Sequence, residues 1–331
     1  MKNLRAAGVA AVIILACILA VALYKKGAKQ SADTAYSPVL PEGVKTALEG
    51  RTRITSTEKG KLSWTMICEG LEFYRPEEKE PGLVKVEGPA ATIPLEDGGT
   101  ARVESRHGVY YQDSEDILMK KGVRADFFRE GKKEWTIDGE TASYRGGAED
   151  FYVSGLSAVM FPASGGTVNL SGKKARYDTG AGIMYLKKNV DITLNREGKI
   201  DWTLSGDTAS YREKQDTYHV SNMKATRFDG SGKELIISGR AGSYNAGTEK
   251  MTITGSVSVN WKKDVTLETG RLDYDAREKI ASTDSRVRIK GDGWSARGKG
   301  LWANTGTEKV IIKHDVKMNF ERGFSGEELE K

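Results

Sequence analysis

Apolar and polar residues alternate along most of this chain, and the alternation recurs in separate blocks. Three blocks keep their apolar side chains on one parity: Met184, Leu186, Val190, Ile192 and Leu194; Met251, Ile253, Val257, Val259 and Trp261; Val310, Ile312, Val316, Met318 and Phe320. A period of two, with polar residues between, predicts strands that bury one face.

These blocks belong to a longer repeat. The segment WTLSGDTASY at 202–211 is matched by WTIDGETASY at 135–144, with seven of ten positions identical, and more loosely by WTMICEGLEFY at 64–74. An aromatic anchor closes each copy, and from Tyr111 onward the anchors are spaced by 33, 33, 34, 33, 30 and 28 residues. We therefore expect about eight units of two strands each.

The parity changes inside the first strand of a unit. The apolar residues Trp202 and Leu204 occupy even-numbered positions, whereas Ala209 and Tyr211 occupy odd-numbered ones, and Gly206 lies between the two pairs. A glycine at a parity change predicts a bulge or bend, so each long strand should bend there and enter a second layer. Short polar turns such as NREGK (195–199) predict antiparallel neighbours. The predicted fold is all-β, with about sixteen strands, in repeated antiparallel pairs, in an open two-layer sandwich or flattened jelly roll.

The N-terminal segment is different in kind. Residues 6–24 are nineteen residues without a charge, long enough as a helix to span a bilayer core. A cleaved signal peptide and a lipoprotein signal ending at Cys17 are the alternatives, but the run stays apolar to Tyr24. We expect a cytoplasmic head (1–5), a single-pass inner-membrane anchor (6–24), a tether (25–45), a periplasmic array (46–320) and a polar tail (321–331).

Charge and chemistry narrow the function. The net charge is +5, but residues 1–30 hold five Lys and Arg and no acid, so the remaining 46 bases match the 46 acids. That balance argues against a nucleic-acid partner. The histidines at 107, 219 and 314 fall at different phases of different units, and Cys17 and Cys68 are not expected to pair. The repeated acids Glu140 and Asp207 fit a solvated face better than a catalytic pair, so we predict no enzyme, metal or cofactor.

Three repeats carry a family resemblance: ARYDTGAGIMYLKKNVDITL (175–194), ASYREKQDTYHVSNMKATRF (209–228) and GSYNAGTEKMTITGSVSVNW (242–261). With the anchor and tether, they resemble lipopolysaccharide-export proteins of the LptC family, which share an LptA- and OstA-like β-jellyroll. The resemblance covers roughly residues 45–320, although this chain is longer than the usual member. It implies an open twisted β-jellyroll whose groove shields the acyl chains of lipopolysaccharide. It also implies transfer from an inner-membrane ABC exporter complex to a soluble periplasmic relay protein of the same fold.

Two sets of site residues follow from the alternation and the resemblance. The expected lipid-binding groove comprises Trp135, Ile137, Leu186, Ile192, Trp202, Leu204, Ile253, Val257, Val259 and Ile312. The expected partner edge comprises Val310, Ile312, Val316 and Met318, because terminal strands of an open array carry unpaired backbone groups. Lys309, Lys313 and Lys317 leave open a protected edge instead. The alternative functions are a polysaccharide-acting enzyme on a parallel β-helix and a structural surface β-repeat protein with a solid core.

Overall fold

The computed structural model describes residues 44–58, 61–74, 83–94, 99–111, 116–145, 150–161, 166–178, 181, 183–212, 215–229, 232–261 and 264–320. They form nineteen β-strands: β1 (Val44–Glu58), β2 (Lys61–Tyr74), β3 (Leu83–Glu87), β4 (Ala90–Pro94), β5 (Thr100–Glu104), β6 (His107–Tyr111), β7 (Asp116–Arg129), β8 (Lys132–Arg145), β9 (Asp150–Met160), β10 (Thr167–Asp178), β11 (Ile183–Arg196), β12 (Lys199–Arg212), β13 (Thr217–Asp229), β14 (Gly232–Asn245), β15 (Lys250–Trp261), β16 (Val265–Asp275), β17 (Ile280–Gly291), β18 (Trp294–Asn304) and β19 (Lys309–Phe320). The all-β expectation is confirmed. The predicted anchor and tail lie outside the described residues, among which no helix is long and apolar enough to cross a membrane.

The chain divides into two compact units, Met1–Leu186 and Lys187–Lys331. In unit 2, residue-by-residue registers join β12 through β19 in chain order, each strand antiparallel to the next. In unit 1, β7 pairs with β8, β8 with β9, and β9 with β10, also antiparallel. Consecutive pairing through short turns is therefore confirmed in both units.

The expected count of about sixteen strands is too low. The difference lies partly in β3 to β6, which are five residues each. Gly88 and Pro89 separate β3 from β4, and β2 pairs with both of them. β7 in turn pairs with both β5 and β6. Proline removes a ladder donor, so here the bend breaks a long strand into two short ones.

The predicted bend at Gly206 is confirmed. Trp202, Leu204 and Ala209 are all buried despite the parity change, and the register between β12 and β13 is interrupted from Ser205 to Thr208. A Cβ added at Gly206 would lie 2.4 Å from the backbone oxygen of Ser221. The strand therefore needs glycine here because the neighbouring backbone passes too close for a side chain.

The partner strands bend by a different device. In β15, Gly255 and Ser256 both have positive φ, 80° and 54°. Lys188 and Asn189 adopt the same conformation in β11, with φ of 64° and 54°. Two consecutive left-handed residues make a bulge that leaves the apolar residues on one parity. This explains why Met251 to Val259 keep their parity whereas Trp202 to Tyr211 do not.

The hairpins of unit 2 end in a repeated polar turn. Asn304 Oδ1 accepts the backbone N–H groups of Gly306 and Thr307 at 3.0 and 2.9 Å. Asp275 Oδ1 accepts those of Arg277 and Glu278 at 3.1 and 3.0 Å. Asn and Asp favour such turns because their short side chains reach the backbone two or three residues on.

Unit 2 has two facing layers made from halves of the same bent strands. We name them the Trp layer, which contains Trp202, and the Tyr layer, which contains Tyr274. These two rings meet edge to face at 5.9 Å between centroids, although β12 and β16 are not paired. Arg227 of the Trp layer also donates a hydrogen bond from Nη1 to the Tyr274 hydroxyl at 2.6 Å. The apolar faces of both layers therefore point at each other.

Candidate functional site: an interior cavity and an open sheet edge

A cavity of about 530 Å³ lies between the two layers of unit 2. The Trp layer contributes aliphatic and indole side chains to its wall, and the Tyr layer contributes Leu, Ala, Val310 and one phenol. Three further lining residues, Asp264, Thr305 and Glu308, are polar. Its lining residues are Leu235, Ile237, Val259, Trp261, Asp264, Val265, Leu267, Leu272, Tyr274, Ala281, Ile289, Trp294, Leu301, Ala303, Thr305, Glu308 and Val310. The volume falls within the usual range of small-molecule sites, which are mostly apolar with a few polar groups.

Residues that lie directly opposite one another on successive strands form rows across the sheet, and two such rows pass through the cavity wall. In the Trp layer one inward row crosses eight strands: Leu204, Ala225, Ile237, Val259, Leu267, Ile289, Ala296 and Met318. In the Tyr layer a second row runs through Tyr211, Tyr218, Tyr244, Met251, Tyr274, Ala281, Ala303 and Val310. Each row is apolar apart from the tyrosine hydroxyls, and each ends on an exposed residue of β19.

Two tyrosines of the second row, Tyr218 and Tyr244, have raised pKa values. Burial raises the pKa of Tyr244 to about 12 and raises that of Tyr218 well above its ordinary value. Both phenols are uncharged at neutral pH, so they add no charge to the buried interior of unit 2. Tyr211 and Tyr218 stack with ring centroids 4.6 Å apart.

One polar atom at the cavity is unsatisfied. Trp261 lines the cavity, and its indole Nε1 is buried with no hydrogen-bond partner among the described residues. A buried donor without a partner is costly and calls for an explanation, such as a ligand or water.

The predicted groove residues occupy three kinds of position. Leu186, Ile192, Trp202, Leu204, Ile253 and Val257 are fully buried, each at most 2% exposed. Val259 lines the cavity. Trp135 and Ile137 are half-buried in unit 1, opposite the buried Phe127 and Ala125. Ile312 is half-buried on β19, opposite Leu301. Their role in binding lipid stays a prediction.

Several cavity residues were not on the predicted list. Leu235, Leu272 and Leu301 line the cavity and share the apolar alternation of the predicted groove residues. Alternation assigns a residue to the inward face, but it does not say where two inward faces stand apart. Trp294 follows a turn at Asp292 and Gly293. Its large aromatic side chain is the feature of the sequence that indicates a place in the cavity wall.

The predicted partner edge is an exposed strand. Among the strands that the structure describes, β19 pairs with β18 and with no other. Five of the seven large hydrophobic side chains that are exposed among the described residues lie on it: Val310, Ile311, Val316, Met318 and Phe320. Exposed apolar residues along an unpaired edge are typical of a site for strand addition. Whether a partner binds there stays a prediction.

The residues set aside as non-catalytic have structural contacts. Asp207 lies at the bend of β12, where it accepts a 2.6 Å hydrogen bond from Asn222 Nδ2. His107 Nδ1 lies 2.7 Å from a Glu87 carboxylate oxygen on the neighbouring strand. Within the described part of the chain, no three His, Cys, Asp or Glu side chains are grouped as a metal site would require.

The chain matches the model of one known protein family. The family described as "Lipopolysaccharide-assembly, LptC-related" matches residues 10–151 and 192–321. One matched segment falls in each compact unit. No curated protein matches the chain significantly.

Among solved structures, the chain is similar to LptH of Pseudomonas aeruginosa, described as the LptA-homologous periplasmic component of the lipopolysaccharide transport device. The two are 12% identical, with a TM-score of 0.25, over 47% of this chain and 95% of LptH. At that TM-score the likeness carries no argument.

Proposed function

Since this chain belongs to the LptC-related family of lipopolysaccharide-assembly proteins, we propose that the cavity between the Trp and Tyr layers holds acyl chains of lipopolysaccharide during transport. A role in lipopolysaccharide transport follows from the family. The family is one of transport components, which agrees with the expectation that the chain is not an enzyme.

The observation that carries the proposal is the course of the two inward rows. Both pass the cavity and end at β19, on Met318 and Val310. Val259 and Val310 both line the cavity, so it joins a predicted groove residue to the predicted edge. An apolar path of this kind would let an acyl chain leave toward a partner without exposure to water. Shielding is worth about 0.8 kcal/mol for each buried CH₂ group.

Trp261 supports the same occupant. An acyl chain is attached through a carbonyl, and the unpartnered indole N–H is a donor at the cavity wall. A carbonyl oxygen bound there would remove the cost of the unsatisfied donor.

The transfer steps at the two ends belong to the same proposal. β19 would accept a strand of a soluble periplasmic relay protein, and residues 6–24 would anchor the chain in the inner membrane beside the ABC exporter. The bulk of the chain would then lie in the periplasm. Recovery of mature protein beginning after residue 24, or acylated at Cys17, would refute the uncleaved anchor.

The two alternative functions fare differently. A parallel β-helix enzyme is excluded because every strand register among the described residues is antiparallel. A structural protein with a solid core would not need a cavity of about 530 Å³ that reaches the edge strand.

The test of the cavity is site-specific photo-crosslinking in cells. A photoreactive amino acid at Val259 should capture lipopolysaccharide, whereas the same residue at Ser258 should not. Ser258 is the matched control because it is next in sequence and opposite Ser238 and Glu268 on the outer face. Equal capture at both positions, or capture at neither, would refute the proposed slot.

A second variant tests whether the captured lipid occupies the cavity or only lies near Val259. Ala281 lines the cavity and is buried, so Ala281→Phe should fill part of the space and reduce capture at Val259. Circular dichroism should confirm that the strands remain. Undiminished capture in folded Ala281→Phe would place the lipid elsewhere.

The docking edge has its own test. Ile312→Pro removes a backbone donor from β19 and should block strand addition, measured by pull-down of the relay protein with circular dichroism as the folding control. If folded Ile312→Pro protein binds that partner as well as the wild type, the edge is not the docking site.

A further inference from the structure

The outer face of the Trp layer carries a charge pattern that the overall balance of acids and bases conceals. One outward row across eight strands reads Ser205, Lys224, Ser238, Ser258, Glu268, Arg288, Arg297 and Lys317. Its last three members are all basic, and they lie on β17, β18 and β19. Positive charge therefore accumulates toward the open edge.

Neighbouring positions extend the same surface. Arg286 lies opposite Lys299, and Lys299 lies opposite His314. Lys290 lies beside Arg288 on the outward face of β17, opposite Ser295. We call the residues Arg286, Arg288, Lys290, Arg297, Lys299 and Lys317 the basic patch; all six are exposed. Glu268, 3.6 Å from Arg288, provides a carboxylate at its inner border.

Like charges directly opposite each other destabilise a sheet. Arg288, Arg297 and Lys317 are direct neighbours in this sense. Guarding the edge against aggregation requires charge only on the edge strand itself. The patch extends two strands inward, onto β17 and β18, so edge protection does not account for it.

The next position in each row belongs to whatever strand pairs with β19. We propose that this incoming strand carries carboxylates on its outer face, opposite Lys317, and apolar residues on its inner face, against Met318 and Val310. The partner is thus a protein with an amphipathic acidic edge strand. This inference rests on the docking edge of the proposed function and adds the chemistry by which the partner is chosen.

Synthetic twelve-residue peptides test the chemistry directly. Two peptides share Val at alternate positions and carry either Glu or Lys at the others. The full-length chain in a neutral detergent should bind the Glu peptide about tenfold more tightly by fluorescence anisotropy, because several opposite-charge cross-strand pairs add. The preference should shrink in 1 M NaCl, where the Debye length is about 3 Å.

Three variants distinguish charge from edge pairing. Arg297→Glu with Lys317→Glu should abolish or reverse the preference. Lys224→Glu, in the same outward row but five strands from β18, should leave it unchanged. Ile312→Pro should weaken both peptides alike, with circular dichroism confirming the fold; Val316→Pro replaces it if the first variant does not fold.

Each remaining outcome overturns the inference in a recognisable way. Equal binding of both peptides by the wild type would leave a docking edge without charge selection. Binding to neither peptide would remove the edge chemistry but not lipid capture at Val259. Much tighter Glu-peptide binding after removal of 321–331 would identify the chain's own acidic tail as the occupant. Patch-dependent binding to phosphatidylglycerol vesicles, without peptide preference, would identify a membrane surface.

Discussion

Gly206→Ala is the substitution whose effect the structure specifies most closely. The added Cβ would lie 2.4 Å from the Ser221 backbone oxygen and 2.5 Å from Val220 Cγ1. Overpacking of this kind costs about 1–3 kcal/mol, while loss of glycine from the unfolded chain returns about 0.4–1 kcal/mol. We therefore expect a net loss of about 1–2 kcal/mol, or about 2–8 °C in melting temperature for a domain of this size.

Gly270→Ala is the matched control. Gly270 also lies within a strand at the bend, in β16, but an added Cβ there would meet only Ser285 Oγ, at 3.9 Å. Thermal and urea denaturation followed by circular dichroism should show Gly270→Ala at or slightly above wild-type stability. Adding Val220→Ala to Gly206→Ala should restore little, because the contact with the Ser221 backbone remains. Wild-type stability of Gly206→Ala, or equal losses in both glycine variants, would refute the close-approach argument.

Three further predictions follow from individual contacts. The Glu278 backbone N–H, among other groups, lowers the pKa of Asp275. The protein should therefore lose stability as pH falls from about 3.9 through that lowered pKa. Asp275→Asn keeps the turn and should flatten this acid-dependent loss, measured by denaturation between pH 6 and 2. Burial raises the pKa of the Cys68 thiol. In a Cys17→Ser variant, where Cys68 is the remaining thiol, alkylation at pH 8 should require unfolding. Rapid alkylation of the folded variant would contradict this prediction. Tyr274→Phe removes the 2.6 Å bond to Arg227 and should cost about 1.5–3 kcal/mol in urea denaturation, whereas an unchanged midpoint would show that the bond is not stabilising.

The alternation of apolar residues predicts the strands, the short polar turns predict their antiparallel order, and the glycine at the parity change predicts the bend at Gly206. Each of these depends on residues near in sequence: a side chain's face follows from parity, and a hairpin from a short turn. The way in which each strand bends also depends on nearby residues. Gly206 lets β12 approach the neighbouring backbone closely, whereas Gly255 and Ser256 form a bulge in β15. Pro89 marks the break between β3 and β4 in the sequence as well, because proline cannot donate to a strand ladder.

Where the two layers separate was not predictable from the pattern. Val257 and Val259 have the same residue type, parity and strand, yet Val257 is fully buried and Val259 lines the cavity. The distance between the facing layers at each row is set by packing among side chains far apart in sequence, as in the contact of Trp202 with Tyr274.

The basic patch was hidden for a related reason. Arg288, Arg297 and Lys317 lie 9 and 20 residues apart along the chain, with the acids Asp292, Glu308 and Asp315 between them. Only the cross-strand register brings them into one row and leaves that row at the edge. The sequence alone determined which face each side chain takes, because the face depends on the local backbone. The tertiary structure decided which of those side chains become neighbours, because register and layer separation depend on the packing of the whole unit.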